Sequence, residues 1–257
     1  MPSDYGAFLP LLNRLADAAG AAIRPFFRNI HFETKPDASP VTEADRASET
    51  VIRNLLEKER PQDGVWGEEF GVERMEAEFA WVIDPIDGTK AFLRGLPVFA
   101  TLIGLMHKGE CVLGLIDQPI LHERWLGGTG VPATFNGQPA RTRPCPALSG
   151  AVMSTSDPSF IKQPLWEKIS PLVKACAQSS TGGDAYVYGL LASGHVDVVV
   201  DGGLKLHDYA ALAPVITAAG GAITDWQGKP LGLHSDGRVL AVGDKRLLDE
   251  ALGLLEN

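Results

Sequence analysis

An α+β fold of two layered halves with a cleft between them is what this sequence predicts, on three observations. The N-terminal part carries apolar residues at helical spacing, and the middle switches to short apolar and alternating runs separated by turn signals. The remainder alternates between the two patterns. The Pro- and Gly-rich stretch GQPARTRPCPALSG marks the passage, so the halves are set at 1–145 and 146–257.

Phe8, Leu12, Leu15, Ala16, Ala19, Ile23, Phe26 and Phe27 share one helical face and predict a first helix between them. A polar stretch, HFETKPDASPVT, separates it from a second helix over 43–60, with Ala44, Ala47, Val51, Ile52, Leu55 and Leu56 inward. Thr42 is placed to cap that helix, and Asp45 lies in its first turn, where a negative charge suits the dipole. Beyond Trp81 the pattern is of strands: VFATLIGLM, a Lys108-Gly109 turn and CVLGLID form a hairpin, then ERWLGG and a second hairpin at Asn136-Gly137. The last part reads as strand GAVMST, helices over 158–176 and 185–193, strand VDVVVD, helix HDYAALAPVITAAGG, strands AITD and VLAVGD, and a closing helix.

Composition narrows the function. A chain of 257 residues, 45% hydrophobic, can bury a sizeable core as one large domain or two small ones. Its longest apolar stretch, Val98 to Met106, falls far short of the roughly 20 residues that cross a bilayer. No basic region followed by an apolar one opens the sequence, so a cytoplasmic protein without membrane attachment is expected. Cys111, Cys145 and Cys176 lie far apart without CxxC spacing, which argues against a zinc site or a disulfide framework. The net charge of −9 and the lack of a basic cluster interleaved with aromatics speak against nucleic acid as a partner. A small anionic substrate stays open if cations supply local positive charge.

The chemistry concentrates in WVIDPIDGTKAF, residues 81–92. Pro85 fixes its own φ and biases Asp84 to an extended conformation, so Asp84-Pro85-Ile86-Asp87 suits a tight turn whose end Cα atoms lie within roughly 7 Å. The two carboxylates then converge, and a hard cation such as Mg²⁺ relieves their repulsion. Gly88, Thr89 and the helix-compatible KAFL follow, and a helix N-terminus approached through glycine is an anion site. Cation ligands beside an anion cradle are what metal-assisted phosphoryl chemistry needs.

The pattern D-P-[IL]-D-G-T after an apolar strand resembles the signature of the inositol monophosphatase superfamily of metal-dependent phosphomonoesterases. Further blocks match in order and spacing: Thr42-Glu43-Ala44-Asp45, Gly67-Glu68-Glu69, and Leu206-His207-Asp208-Tyr209-Ala210-Ala211 followed by Ala219-Gly220-Gly221. The resemblance implies an α/β/α/β/α sandwich of the inositol monophosphatase and fructose-1,6-bisphosphatase type. It implies that Glu68, Asp84 and the Ile86 carbonyl hold one Mg²⁺, that Asp84, Asp87 and Asp208 hold a second, and that Glu68 with waters helps hold a third. Asp45 and Thr89 would then orient and deprotonate a metal-activated water, and the amides of Gly88 and Thr89 would take the phosphate. Lys35 fits a family position near the metals, and His207 stands where the family usually has a large packing residue such as Trp or Tyr. A homodimer formed through the second half is a further implication.

Within the superfamily the sequence looks most like the histidinol-phosphatase branch, through DPIDGTKAFLRGLPVFATLIGL, IDQPILHERWLGG and TGGDAYVYGLLASGHVDVVVDGGLKLHDYAALAPVITAAGG. That resemblance implies hydrolysis of L-histidinol phosphate in histidine biosynthesis, with inositol 1-phosphate or a broad range of sugar phosphates as the alternative. By the same resemblance, Gly182, Gly183 and Asp184 occupy the stretch with which the family contacts its substrate beyond the phosphate, and Asp201 stands seven residues before Asp208. Carboxylates at 184 and 201 would pair with the cationic groups of histidinol phosphate. A haloacid-dehalogenase scheme is disfavoured because two residues, not one, separate Asp84 from Asp87. A purely regulatory binding module is disfavoured because every expected acid is present.

Overall fold

The computed structural model describes residues 4–29, 32–34, 40–157, 161 and 163–256. Helix α1 (Leu9–Ile23) leads to a short ribbon, β1 (Phe32–Thr34) and β2 (Pro40–Thr42), and then to α2 (Glu43–Glu59). Next come β3 (Gly64–Gly67), β4 (Gly71–Glu73), β5 (Phe79–Asp87) and α3 (Thr89–Leu93). A meander follows, β6 (Ala100–His107), β7 (Glu110–Gln118), β8 (Glu123–Gly128), β9 (Val131–Phe135) and β10 (Gln138–Pro139). The rest comprises β11 (Val152–Thr155), α4 (Gln163–Ala175), β12 (Gln178–Thr181), α5 (Tyr186–Ala192), β13 (Val198–Gly202), α6 (Leu206–Tyr209), α7 (Leu212–Ala218), β14 (Ala222–Thr224), β15 (Arg238–Val242) and α8 (Leu248–Glu256).

The expected hairpin turns form, with Lys108, Gly109, Asn136 and Gly137 all at positive φ, as the right-handed twist of the flanking strands requires. Short β3, β4 and β12 were not legible in the sequence, because glycine-rich or polar runs of three or four residues carry no period. The single helix expected over HDYAALAPVITAAGG is instead two, broken at Ala210 and Ala211. The predicted start of α4 at residue 158 lies outside the described residues.

The strands form an eight-stranded sheet, β10-β9-β8-β7-β6-β5-β3-β4, and a five-stranded sheet, β12-β11-β13-β15-β14. Period-two alternation assigns the layers. Trp81, Ile83, Ile103, Leu105 and Leu115 on one face of the larger sheet bury against Leu12, Leu15, Ile52 and Leu56 of α1 and α2. From the opposite face, Val82, Leu102 and Ile116 meet Leu191, Leu212 and Val215 of α5 and α7, which also cover Val199, Val239 and Ala241 of the smaller sheet. The outer face of that sheet, with Val198, Val200 and Leu240, is closed by Ile169 and Leu172 of α4 and Ala251 and Leu255 of α8. The order is α/β/α/β/α.

Where α6 and α7 cross the larger sheet, side chains give way to glycine. Gly104, Gly114 and Gly127 are cross-strand neighbours on β6, β7 and β8. A Cβ on Gly114 would fall inside the van der Waals surface of the Ala211 carbonyl oxygen, and one on Gly104 would stand 3.0 Å from the Ala210 carbonyl carbon. The backbone that carries Asp208 therefore rests almost directly on the backbone of the sheet.

Candidate active site

Asp84-Pro85-Ile86-Asp87 does not form the tight turn expected of it; the whole stretch belongs to β5. Asp84 pairs with Leu102 and Asp87 with Ala100, so three steps on β5 face two on β6. This bulge is the physical reason that two aspartates three apart converge. Strict alternation would send Asp87 to the α2 side, but the extra residue reverses the parity and returns it to the side of Asp84. Ile86 instead turns towards Ile23, Ala44, Phe92 and Phe99. Proline is tolerated because a bulge has no ladder bond to lose, and the Thr101 hydroxyl donates to the Pro85 carbonyl at 2.7 Å.

Register also places Glu68. Strand β3 runs parallel to β5 with Gly67 opposite Ile83, so Glu68 emerges beside Asp84. The loop that follows is held by Glu49, whose buried carboxylate accepts the amides of Glu69 at 2.8 Å and Phe70 at 3.2 Å and pairs with Arg53 at 2.7 Å. Glu49 was not among the sequence candidates; its i, i+4 spacing to Arg53 was the available signal. Asp208 arrives from α6, its Oδ2 accepting the Lys205 amide at 2.6 Å.

One oxygen each from Asp84, Asp87 and Asp208 lie within 4.8 Å of one another, as do one ligand atom each from Glu68, Asp84 and His207. This donor set, nearly all carboxylate oxygen, fits a hard divalent cation. Burial pushes Asp84 well above the ordinary carboxylate range, and the charges of Glu68, Asp87, Asp208 and Asp45 push it further. Asp87 is raised by burial, then by Asp184 and Asp208, against the opposing Ala185 amide, which donates at 2.6 Å. Asp208 is likewise raised by burial. Acids that repel one another this strongly in a buried site are what a bound cation relieves.

Asp45 is buried near Glu68 and Glu69. Thr42 and Asp45 form the expected cap, with the Thr42 amide and hydroxyl donating to Asp45 Oδ2 at 2.8 and 2.5 Å. The other oxygen, Oδ1, is buried with no hydrogen-bond partner among the described residues. Burial raises Asp45 to about 7, opposed by Thr42 and reinforced by Glu69 and Glu68. A carboxylate raised in the folded state holds its proton more tightly there than in the unfolded chain, so stability is lost as pH climbs through the folded value. For Asp45 that window runs from 3.8 to about 7. Metal-free protein is therefore expected to melt several degrees lower at about pH 8 than at about pH 5, with added Mg²⁺ restoring more at the higher pH. A metal-free melting temperature that rises over this interval would contradict the repulsion account.

The acids open onto a cleft of about 550 Å³. Its wall includes Glu68, Asp84, Ile86, Asp87, Gly88, Thr89, Asp184, Asp201 and Asp208, together with Lys90, Ser156, Leu165, Tyr188, Gly203 and Leu204, which sequence reasoning missed. Gly88, at φ 86, precedes the first turn of α3, and the Thr89 hydroxyl donates to the Ile86 carbonyl at 3.1 Å. A side chain at Gly88 is excluded twice, by its φ and by Asp184, whose Oδ2 would lie 2.5 Å from the added Cβ.

Asp184 sits at φ 43 in the turn made by Gly182 and Gly183, which shape the loop without lining the cleft. Burial and the charge of Asp201 raise it to about 6, against Arg94 and Lys90. Asp201 is 4% exposed, and its oxygens accept the Ser156 amide and the Tyr188 hydroxyl, each at 2.7 Å. Lys35 lies outside the described residues.

The chain as a whole is similar to known proteins. A family model described as the inositol monophosphatase family matches residues 7–257. The chloroplastic bifunctional phosphatase IMPL2 of Arabidopsis thaliana is 43% identical over 99% of this chain and 76% of its own length. A histidinol-phosphatase of Streptomyces coelicolor is 41% identical over 98% of both chains. Among solved structures, an inositol monophosphatase from Zymomonas mobilis superposes with a TM-score of 0.91 at 46% identity, covering 99% of this chain and 100% of the other.

Proposed function

Since the chain belongs to the inositol monophosphatase family, and is thereby a phosphatase, we propose that its substrate is L-histidinol phosphate, hydrolysed to L-histidinol and phosphate. The observation that carries this reading is the likeness to a histidinol-phosphatase over nearly the whole of both chains, joined to the placement of Asp184 on the cleft wall. Histidinol phosphate presents an ammonium and an imidazole to such a carboxylate, whereas an inositol presents only hydroxyls.

Glu68, Asp84, Asp87, Asp208 and the Ile86 carbonyl would hold Mg²⁺, as two or three ions. When bound, these ions supply neutralising charge and Lewis acidity. The remaining work falls to the chain. The amides of Gly88 and Thr89, at the start of α3, receive the phosphate. Asp45 keeps Oδ2 fixed by Thr42 and offers Oδ1 to the attacking water, and Thr89 fixes the water's other side. A carboxylate at about 7 is matched to taking a proton near neutral pH. Asp201, with both oxygens engaged, holds Tyr188 and the Ser156 loop in position and so shapes the alcohol side of the cleft.

Asp184→Asn is expected to lower kcat/KM for histidinol phosphate by about 10- to 100-fold, the worth of one charge-assisted hydrogen bond, with little change for p-nitrophenyl phosphate. Equal losses on both esters would remove Asp184 from the specificity assignment. The decisive test is phosphate release across a panel of esters with and without Mg²⁺. Turnover of inositol 1-phosphate exceeding that of histidinol phosphate would favour the second reading, an inositol or broad sugar phosphatase, which the Zymomonas mobilis likeness supports. The same reading takes the protein to work as a cytoplasmic homodimer, and sedimentation velocity measures that assembly.

A further inference from the structure

His207 is buried among the acids at 6% exposure, where a packing residue was expected. Its Nε2 lies 3.4 Å from Asp208 Oδ1, and its Nδ1 has no hydrogen-bond partner among the described residues. An ionised Asp208 can accept a hydrogen bond from the ring but cannot donate one, so among the described residues no donor meets the lone pair of the neutral imidazole. Leaving such a nitrogen unmet in a buried site is unfavourable. One ring nitrogen also lies within 4.8 Å of a carboxylate oxygen of Glu68 and of one of Asp84.

We propose that His207 is a direct metal ligand, adding an imidazole nitrogen to the cation held between Glu68 and Asp84. This goes beyond the ligand set implied by the family resemblance, and it rests on the reading that these acids hold a cation. The Nε2–Asp208 contact orients the ring as carboxylates commonly orient ligating histidines. One nitrogen among hard oxygens also shifts the site's preference, because imidazole suits transition ions while Mg²⁺ is served by carboxylate and water. The site therefore favours Mn²⁺ or Co²⁺ over Mg²⁺ more strongly than an all-oxygen site does.

Electron spin-echo envelope modulation of the Mn²⁺-loaded protein tests this without reference to turnover. The unaltered protein is expected to show imidazole ¹⁴N coupling to Mn²⁺. His207→Phe, which keeps a ring in the packing space, is expected to lose that coupling and to weaken Mn²⁺ binding about tenfold or more, with a smaller effect on Mg²⁺. Stoichiometric Mn²⁺ binding that is lost in Asp84→Asn, yet shows no ¹⁴N modulation in the unaltered protein, overturns the His207 assignment and leaves the phosphatase reading standing. Absence of Mn²⁺ binding altogether overturns both.

Discussion

Asp84→Asn is expected to cut Mg²⁺-dependent phosphate release by about 10³-fold or more while raising the melting temperature of the metal-free protein. The two effects share one cause. Asp84 is the acid common to both donor groups, so its loss disturbs every cation the cleft can hold. It is also fully buried among Glu68, Asp87 and Asp208, where its charge opposes folding in the absence of a counter-ion. Asparagine keeps an oxygen to accept the Ile86 amide, which now lies 3.0 Å from Asp84 Oδ1, and removes the charge. A metal-free gain of about 1–3 kcal/mol is expected, the scale on which unpaired buried charges destabilise. Turnover within tenfold of the unaltered enzyme would defeat the shared-ligand role, and a lower metal-free melting temperature would defeat the repulsion argument.

Gly114→Ala is expected to cost about 3 kcal/mol of stability in urea unfolding and to reduce turnover at once. The added methyl meets the Ala211 carbonyl oxygen, a backbone atom that cannot rotate aside as a side-chain end can. Relief requires α6 and α7 to lift from β7, and that displaces Asp208, three residues before Ala211, from its partners on β5. Gly150→Ala, where none of the described residues stands within 4 Å of the new Cβ, serves as the control and is expected to stay within about 0.5 kcal/mol. Equal behaviour of the two variants would mean that the close approach is not limiting.

Asp84 and Asp87 were legible in a rigid, short-range pattern, Glu68 and Asp208 only through the family resemblance, and α2 announced itself by its periodicity and the Thr42 cap. Their geometry was less legible. Asp84 and Asp87 converge through a bulge, which depends on how β6 pairs with β5 and not on the four residues themselves. Glu68 lies beside Asp84 through the parallel register of a strand only four residues long, too short for an alternating signal. That both oxygens of Asp201 are engaged within the protein was not legible, because its partners, the Ser156 amide and the Tyr188 hydroxyl, come from other elements. The break between α6 and α7 arises where the chain must seat on glycines, a tertiary demand that helical spacing does not register.

Gly104, Gly114 and Gly127 also bear on conformational entropy. Docking a helix through long side chains freezes rotamers and leaves slack that those rotamers can take up later. At this seam glycine faces alanine, and neither has a rotamer to freeze. At these contacts with Ala210, Ala211 and Ala218 little side-chain entropy is lost, and little thermal play is left between β6 and β7 and the chain that follows Asp208. The stiffness of the chelating geometry is set by the main chain, so it should persist with temperature up to the point where the sheet and helices part.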